Sequence, residues 1–121
     1  MARRIIVCGG RDFSDRQLCF EVLDCIRTVD GEFEIVSGHA KGADTFGEEY
    51  AEANGVKVTI FKPDWKKYGK AAGPIRNGQM LAYALENNPL VIAFWNGKSR
   101  GTKNMIEQAR KAGAEVRVVG Y

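Results

Sequence analysis

The sequence predicts an α/β fold, a three-layer αβα sandwich around a five-stranded parallel sheet. Five short runs rich in Ile, Val and Phe alternate with five helix-like or loop-then-helix segments, an alternation typical of parallel sheets. The first and fourth runs contain the apolar stretches "IIVC" and "LVIAFW", as expected for strands covered on both faces. We therefore expect these two strands to be central, in the order 3-2-1-4-5.

The strands are bounded by the apolar runs themselves. They are predicted at Arg4 to Cys8, Glu34 to Ser37, Val56 to Phe61, Leu90 to Trp95 and Glu115 to Val119. A chain of 121 residues with 45% apolar content is enough for one hydrophobic core. We expect a single domain over residues 1–121.

The first helix has a readable start. Ser14 and Gln17 fit a capping box, and Phe13 stands where it can pack on Leu18, so the helix should begin near Asp15. Its predicted buried stripe is Leu18, Val22, Cys25, Ile26 and Val29. Cys25 is then a core residue, and Cys19 lies off the stripe.

The other helices are bounded by glycine, asparagine and proline. The second is predicted from Ala43-Asp44 to Asn54-Gly55. The third has Pro74 in its first turn, and it should bury Leu81, Ala84 and Leu85 and end at Asn87-Asn88-Pro89. The fourth should run from Thr102 to Ala112, with Gly113 as its stop.

Composition excludes several classes of protein. No window approaches 18 consecutive apolar residues, and the start "MARRIIVCGG" has an apolar stretch too short for a signal peptide. The three cysteines, Cys8, Cys19 and Cys25, lack C-x-x-C spacing, which argues against a disulfide framework or a structural zinc site. We expect a soluble, cytoplasmic protein with reduced thiols and no membrane partner.

The basic charge is concentrated in two loops. Lys62 to Arg76 holds five basic residues against Asp64, and Lys98 to Lys103 adds three more without an acid. Together these two loops carry a charge of +7. Because the whole chain has a net charge of +3, the remainder of the chain is acidic. A local basic patch suits a phosphorylated small molecule better than a long nucleic acid.

The segment "GKS" at residues 97–99 is similar to the end of a Walker A loop, which needs glycine five positions earlier. Ile92 occupies that position, inside a predicted strand, so the loop cannot form. A strand, a Gly-rich basic turn and a helix remain, and these can hold an anion at the helix N-terminus.

Three Gly-rich turns should meet at one edge of the sheet. They follow the first, second and fourth strands, at residues 9–12, 38–44 and 96–102. In the order 3-2-1-4-5 these strands are neighbours, and ligands of open parallel sheets bind beyond their carboxyl ends. Turns of this kind also contain glycine because tight turns need positive φ, but three at one edge favour a phosphate site.

Four separated segments carry a family resemblance. They are "VCGGRDFSD", "VSGHAKGAD", "DWKKYGKAAGPIRNGQM" and "AFWNGKSRGTKNMI". In this order they resemble the YspA-like branch of the SLOG superfamily, from about Ile5 to Ala112. The resemblance implies a Rossmann-like fold with a pocket for a nucleotide or nucleotide-derived ligand. Better-known relatives include the LOG phosphoribohydrolases, which split base from ribose 5′-phosphate, and the DprA proteins, which bind single-stranded DNA.

Two positions depart from the relatives. LOG enzymes carry P-G-G-x-G-T-x-x-E with a catalytic glutamate, whereas Met105 stands there in "KSRGTKNM". His39 replaces a glycine that is commoner in the YspA-like branch. It could act as a general acid or base, although an exposed loop histidine is the commoner case.

The candidate ligand-binding residues come from these turns and from the third helix. Arg11, Lys41, Lys98 and Arg100 are the cations for phosphate, and Arg76 and Met80 resemble a pair that faces the ligand in SLOG relatives. The complete set is Gly9, Gly10, Arg11, Gly38, Lys41, Gly42, Asp44, Arg76, Asn77, Met80, Asn96, Lys98, Ser99, Arg100, Gly101 and Thr102.

Asp12 and Asp44 are the candidate catalytic carboxylates. Asp44 has a second interpretation as the N-cap of the second helix. Asp12 has no such alternative, because Ser14 is the predicted cap of the first helix. The segment from Lys62 to Gly73, which lacks helical periodicity, is interpreted as a lid or as a basic surface loop.

The preferred function is binding of a nucleotide-related, phosphate-bearing small molecule, as a sensor or carrier domain. One alternative is a hydrolase that cleaves an N-glycosidic bond with Asp12 or Asp44. Another is single-stranded nucleic-acid binding, with Lys66, Lys67 and Lys70 on phosphates and Trp65 or Tyr68 on bases. No tightly held metal or cofactor is expected. Binding of Mg²⁺ together with a phosphate ligand remains an alternative. The resemblance implies a homodimer.

Overall fold

The computed structural model describes residues 2–121. Its five strands form one sheet with the order β3-β2-β1-β4-β5, and every adjacent pair is parallel. The strands are β1 (Arg3–Gly9), β2 (Phe33–Ser37), β3 (Val58–Ile60), β4 (Leu90–Trp95) and β5 (Glu115–Gly120). The predicted fold class and strand order are therefore confirmed.

Helices cover both faces of the sheet. They are α1 (Arg16–Asp30), α2 (Ala43–Asn54), α3 (Trp65–Tyr68), α4 (Ala72–Leu85) and α5 (Arg100–Lys111). The cluster on one face joins α1 and α2 to the sheet through residues such as Leu23 and Tyr50. The cluster on the other face joins α4 and α5 through residues such as Leu81 and Ile106. This is the predicted αβα sandwich.

The central strands are buried on both sides, as their apolar runs predict. Along β1, Ile5 and Val7 enter one cluster and Ile6 and Cys8 the other. Successive strand residues point to opposite faces, so only a continuously apolar run can satisfy two covering layers. The outer strand β3 is shorter than predicted, because Val56 joins the end of α2, where its N–H donates to the Ala51 carbonyl.

The cap of α1 differs from the prediction. The Oδ1 atom of Asp15 accepts a hydrogen bond from the N–H of Leu18 at 3.0 Å, so Asp15 is the N-cap and not Ser14. Phe13 is nonetheless buried in the core, and Leu18 packs against that cluster. The aromatic ring thus fixes the chain's entry into the helix, and the cap lies one residue later.

The buried stripe of α1 is shifted by one position. Cys19, Leu23 and Ile26 are its buried residues, whereas Cys25 is exposed and Val29 is 77% exposed. Apolar side chains lie on two adjacent stripes of this helix, and helical spacing alone does not choose between them. Contact with the sheet selects the stripe that contains Cys19.

Three further predictions about the helices were wrong. Leu85 is 42% exposed because it ends α4, while Leu81 and Ala84 are buried as expected. Residues predicted to lack helical periodicity form α3 and a 3₁₀ turn, Gly69–Ala71, which lead directly into α4. The α5 helix begins at Arg100, two residues before the predicted start, because Ser99 caps it.

Candidate functional site

The turns after β1, β2 and β4 meet at the carboxyl edge of the sheet and contribute to a cleft of about 520 Å³. The α3 helix, the following segment and α4 complete its walls. The lining residues are Cys8, Gly9, Gly10, Arg11, Asp12, Ala40, Asp44, Trp65, Lys70, Gly73, Pro74, Arg76, Asn77, Met80, Ser99, Gly101, Thr102 and Met105. This volume lies within the range of small-molecule sites.

Two glycines allow the turns to approach each other. A Cβ added at Gly9 would lie 2.7 Å from the Phe94 carbonyl oxygen and 2.8 Å from the Ala43 Cβ. Gly42 has φ 84°, and a Cβ there would collide with the Gly10 carbonyl oxygen. Of the two, only Gly42 has the positive φ that we expected of such turns; Gly9 is needed because backbones approach closely.

Asp44 is a buried carboxylate in the first turn of α2. It is 4% exposed, and its Oδ2 atom accepts the Ala40 N–H at 3.2 Å. Its interpretation as the N-cap is wrong, because Gly42 is the N-cap. Burial raises the pKa of Asp44 to about 6; Glu48 acts in the same direction, and the Ala40 N–H and Arg76 oppose it.

Arg76 is the half-buried cation of the cleft. Its Nη1 atom donates to the Gly38 carbonyl at 2.5 Å, and its Nε atom donates to Asn77 Oδ1 at 3.1 Å. Desolvation lowers its pKa and Asp44 opposes that effect, but a guanidinium stays protonated in proteins. Within residues 2–121 no carboxylate lies within the 4.0 Å of an ion pair with Arg76, so its charge can accept an anionic ligand.

The floor of the cleft is apolar and rich in sulfur. Cys8, Met80 and Met105 all line it and are almost fully buried. Burial raises the pKa of the Cys8 thiol far above its usual range, Asp44 adds to the effect, and Arg76 opposes it. Cys8 is therefore a neutral thiol, and Met105 leaves no carboxylate at the position of the LOG glutamate.

The start of α5 is built by a side-chain turn. Asn96 Oδ1 accepts the N–H groups of Lys98 at 2.8 Å and of Ser99 at 2.9 Å. The hydroxyls of Ser99 and Thr102 lie 3.0 Å apart, and both residues line the cleft with Gly101. Hydroxyls, free N–H groups and the positive end of a helix dipole are suited to phosphate oxygens.

Asp12 is held on the exposed rim of the cleft. The Tyr121 hydroxyl donates to its Oδ1 atom, and Asn96 Nδ2 donates to Oδ2 at 3.3 Å. The Tyr121 hydrogen bond is the main cause of its lowered pKa. This carboxylate therefore ties the first turn to the fourth and to the end of β5. Desolvation raises the pKa of Tyr121 to about 12, and the hydrogen bond to Asp12 adds to this effect.

His39 lies outside the cleft lining. Its φ is 61°, a conformation that glycine adopts more readily than histidine. Its Nδ1 atom lies 3.0 Å from Glu48 Oε1, and Ser37 Oγ donates to Glu48 Oε2 at 2.7 Å. Glu48 thus joins the histidine to the end of β2.

The structure divides the predicted ligand-binding residues into two groups. Eleven predicted ligand-binding or catalytic residues line the cleft: Gly9, Gly10, Arg11, Asp12, Asp44, Arg76, Asn77, Met80, Ser99, Gly101 and Thr102. Outside the lining are Gly38, Lys41, Gly42, Asn96, Lys98 and Arg100. Lys41, Lys98 and Arg100 are exposed, while Gly38, Gly42 and Asn96 shape the neighbouring turns. Contact with a ligand stays a prediction for the residues of both groups.

Sequence reasoning assigned no site role to Cys8, Ala40, Gly73 or Pro74, which also line the cleft. A signal existed for three of them, because Cys8 adjoins one predicted turn, Ala40 lies within another, and Gly73 ends the segment interpreted as a lid. Within residues 2–121, no group of three or more His, Cys, Asp or Glu side chains is arranged to hold a metal. In the same part of the chain, none of the helices has the length and apolarity needed to span a membrane.

The sequence comparison decides the family. A model described as the "YspA, cpYpsA-related SLOG family" matches residues 3–68, more than half of the chain. The chain belongs to this SLOG family. The curated "Gene 61 protein" of Mycobacterium phage D29 is a relative of similar size, 32% identical over 120 residues that cover 94% of each chain.

A solved structure shares the fold. It is DNA processing protein A (DprA) from Streptococcus pneumoniae, with a TM-score of 0.73 and 24% sequence identity. The match covers 98% of this SLOG chain and 50% of the DprA chain. The SLOG chain therefore corresponds to about half of that protein.

Proposed function

We propose that this SLOG protein binds a nucleotide-related, phosphate-bearing small molecule in the cleft, as a sensor or carrier domain. One observation carries the proposal: Arg76 is a half-buried cation without an ion-pair partner within residues 2–121, and it lines a cleft beside the start of α5. A partly desolvated cation without a direct ion pair favours an anionic ligand, although the nearby Asp44 carboxylate offsets part of its charge.

The neighbouring groups support a phosphate as that anion. Ser99 and Thr102 offer hydroxyls, Gly101 leaves space for close approach, and Arg11 adds an exposed cation at the rim. Asp44 also lines the cleft, where its carboxylate can accept hydrogen bonds from ribose hydroxyls. The apolar floor and about 520 Å³ of space suit a ligand larger than phosphate alone.

A thermal-shift screen tests the proposal. The probes are ADP-ribose, NAD, nucleoside mono- to triphosphates and ribose 5-phosphate. A ligand at 100 times its Kd adds about 2.7 kcal/mol to the free energy of unfolding, so a saturable rise in Tm is expected. Arg76→Ala should lose most of it, whereas Arg110→Ala removes an exposed charge near the other end of α5 and should not. No shift with any probe would refute the proposal.

The same incubations separate binding from turnover. Asp44 is a buried carboxyl whose pKa is raised to about 6, and a group of that kind can transfer protons near neutral pH. Chromatography of the recovered ligand distinguishes the two functions. Intact ligand supports a sensor or carrier, and released free base would indicate a hydrolase.

Single-stranded nucleic-acid binding is the second candidate. It is favoured by α3, where exposed Trp65 is followed by exposed Lys66 and Lys67, a combination that suits base stacking and phosphate contact. The structural similarity to a protein named for DNA processing also favours this candidate.

Oligonucleotide titration tests this candidate. Binding of a labelled single strand should weaken steeply between about 50 and about 200 mM salt, and the double variant Lys66→Glu/Lys67→Glu should abolish it. The double variant should leave mononucleotide binding intact, because neither lysine lines the cleft. No binding at about 50 mM salt would remove this candidate.

A further inference from the structure

The exposed indole of Trp65 is an unusual feature of the cleft. Trp65 is 52% exposed, although it lines the cleft with the groups proposed for phosphate. Within residues 2–121 it has no aromatic ring partner and its indole N–H donates no hydrogen bond. The other tryptophan, Trp95, donates from Nε1 to the Ser99 carbonyl at 3.1 Å.

Local structure fixes the position of Trp65 at the start of a short helix. Asp64 caps α3 by accepting the Lys67 N–H at 3.1 Å, and Trp65 is the first residue of that helix. The ring reaches the first turn of α4, where its Cη2 atom would lie 3.8 Å from a Cβ at Gly73. The ring therefore lies beside the first turn of α4, and about half of its surface stays open.

We propose that Trp65 is the base-stacking residue of the cleft and that the ligand class is nucleotides with an intact base, rather than sugar phosphates. This inference rests on the proposed function, because it needs a ligand in the same cleft. An aromatic ring with a free surface gains stacking energy from any nucleobase, since every base has a π face. Phosphate contacts come from α5 and α4, and the base contact comes from α3.

The test compares four nucleoside 5′-monophosphates with ribose 5-phosphate by calorimetric titration. These probes share the sugar phosphate and differ only in the presence of the base. Wild-type protein should bind each monophosphate at least about 10-fold more tightly than ribose 5-phosphate, as stacking on one aromatic residue allows. Trp65→Leu should remove this preference, while Trp65→Phe should retain most of it.

Tyr68→Leu is the matched control, because it removes an aromatic ring from the same short helix at a position outside the cleft lining. It should leave the preference unchanged. Quenching of indole fluorescence on ligand binding should disappear in Trp65→Phe, with Trp95 still present to report the folded state.

The outcomes separate the inference from the proposed function. Equal affinity for ribose 5-phosphate and the monophosphates overturns the stacking role and leaves the phosphate cleft standing. A preference that survives in Trp65→Leu also overturns it, because the base then binds elsewhere. If no probe binds to wild-type protein, both the proposed function and the stacking role are refuted.

Discussion

At the residue scale, Asp44 gives the site a pH signature. Its pKa of about 6 in the folded protein exceeds its ordinary value of 3.8, so the folded state binds this proton more tightly than the unfolded state. The stabilisation from Asp44 is therefore present at low pH and is lost as pH rises through about 6. By linkage, acidification from pH 7 to pH 5 should add about 1 kcal/mol to the free energy of unfolding through this group.

Urea unfolding of wild type and Asp44→Asn at pH 5, 6 and 7 measures this contribution of Asp44 to the free energy of unfolding. The amide keeps an oxygen that can accept the Ala40 N–H and removes the titration. Relative to the variant, the wild type should gain stability as the pH falls. Parallel pH profiles would show that the carboxylate titrates at its ordinary pKa.

Gly9 provides a second residue-scale prediction. Gly9→Ala should lower the free energy of unfolding by about 1–3 kcal/mol, because the new methyl would meet the Phe94 carbonyl and the Ala43 Cβ. Gly101→Ala is the control, since nothing lies within 4 Å of its added Cβ and alanine favours a helix. Chemical denaturation compares the two, and equal stability would contradict the close approach of the turns.

At the element scale, the start of α1 distinguishes the predicted cap from the observed one. Asp15→Ala should cost about 1 kcal/mol of stability, because it leaves the Leu18 N–H without its side-chain acceptor. Ser14→Ala should cost less than half of that. Equilibrium unfolding of both variants checks the difference, and a larger loss in Ser14→Ala would restore the capping box that the sequence predicted.

The boundaries of α1 also show what local sequence leaves undecided. "SDRQ" contains two consecutive capping residues, and the helix contains two adjacent apolar stripes. Local spacing favoured Ser14 and the stripe of Cys25, whereas packing on the sheet chose Asp15 and the stripe of Cys19. The strands were easier to predict, because burial of both faces leaves an uninterrupted apolar run.

At the scale of the whole molecule, the sequence predicts the place of the site better than its members. The strand order brings the three Gly-rich turns together, as their positions after neighbouring strands required. The direction of each side chain decides which cation reaches the cleft. Local sequence does not predict that direction. Arg11 lines the cleft from the turn after β1, and Lys70 and Arg76 line it from the segment after β3. Lys41, Lys98 and Arg100 do not line it.

A crystal structure of the protein with the strongest ligand of the thermal-shift screen would show whether Arg76 binds the anion. We expect a phosphate within about 3 Å of the Arg76 guanidinium and of the Ser99 or Thr102 hydroxyl, the distance of charge-assisted hydrogen bonds. A ligand bound outside the cleft, or with its phosphate away from Arg76, would contradict the central claim that this half-buried cation binds the anion.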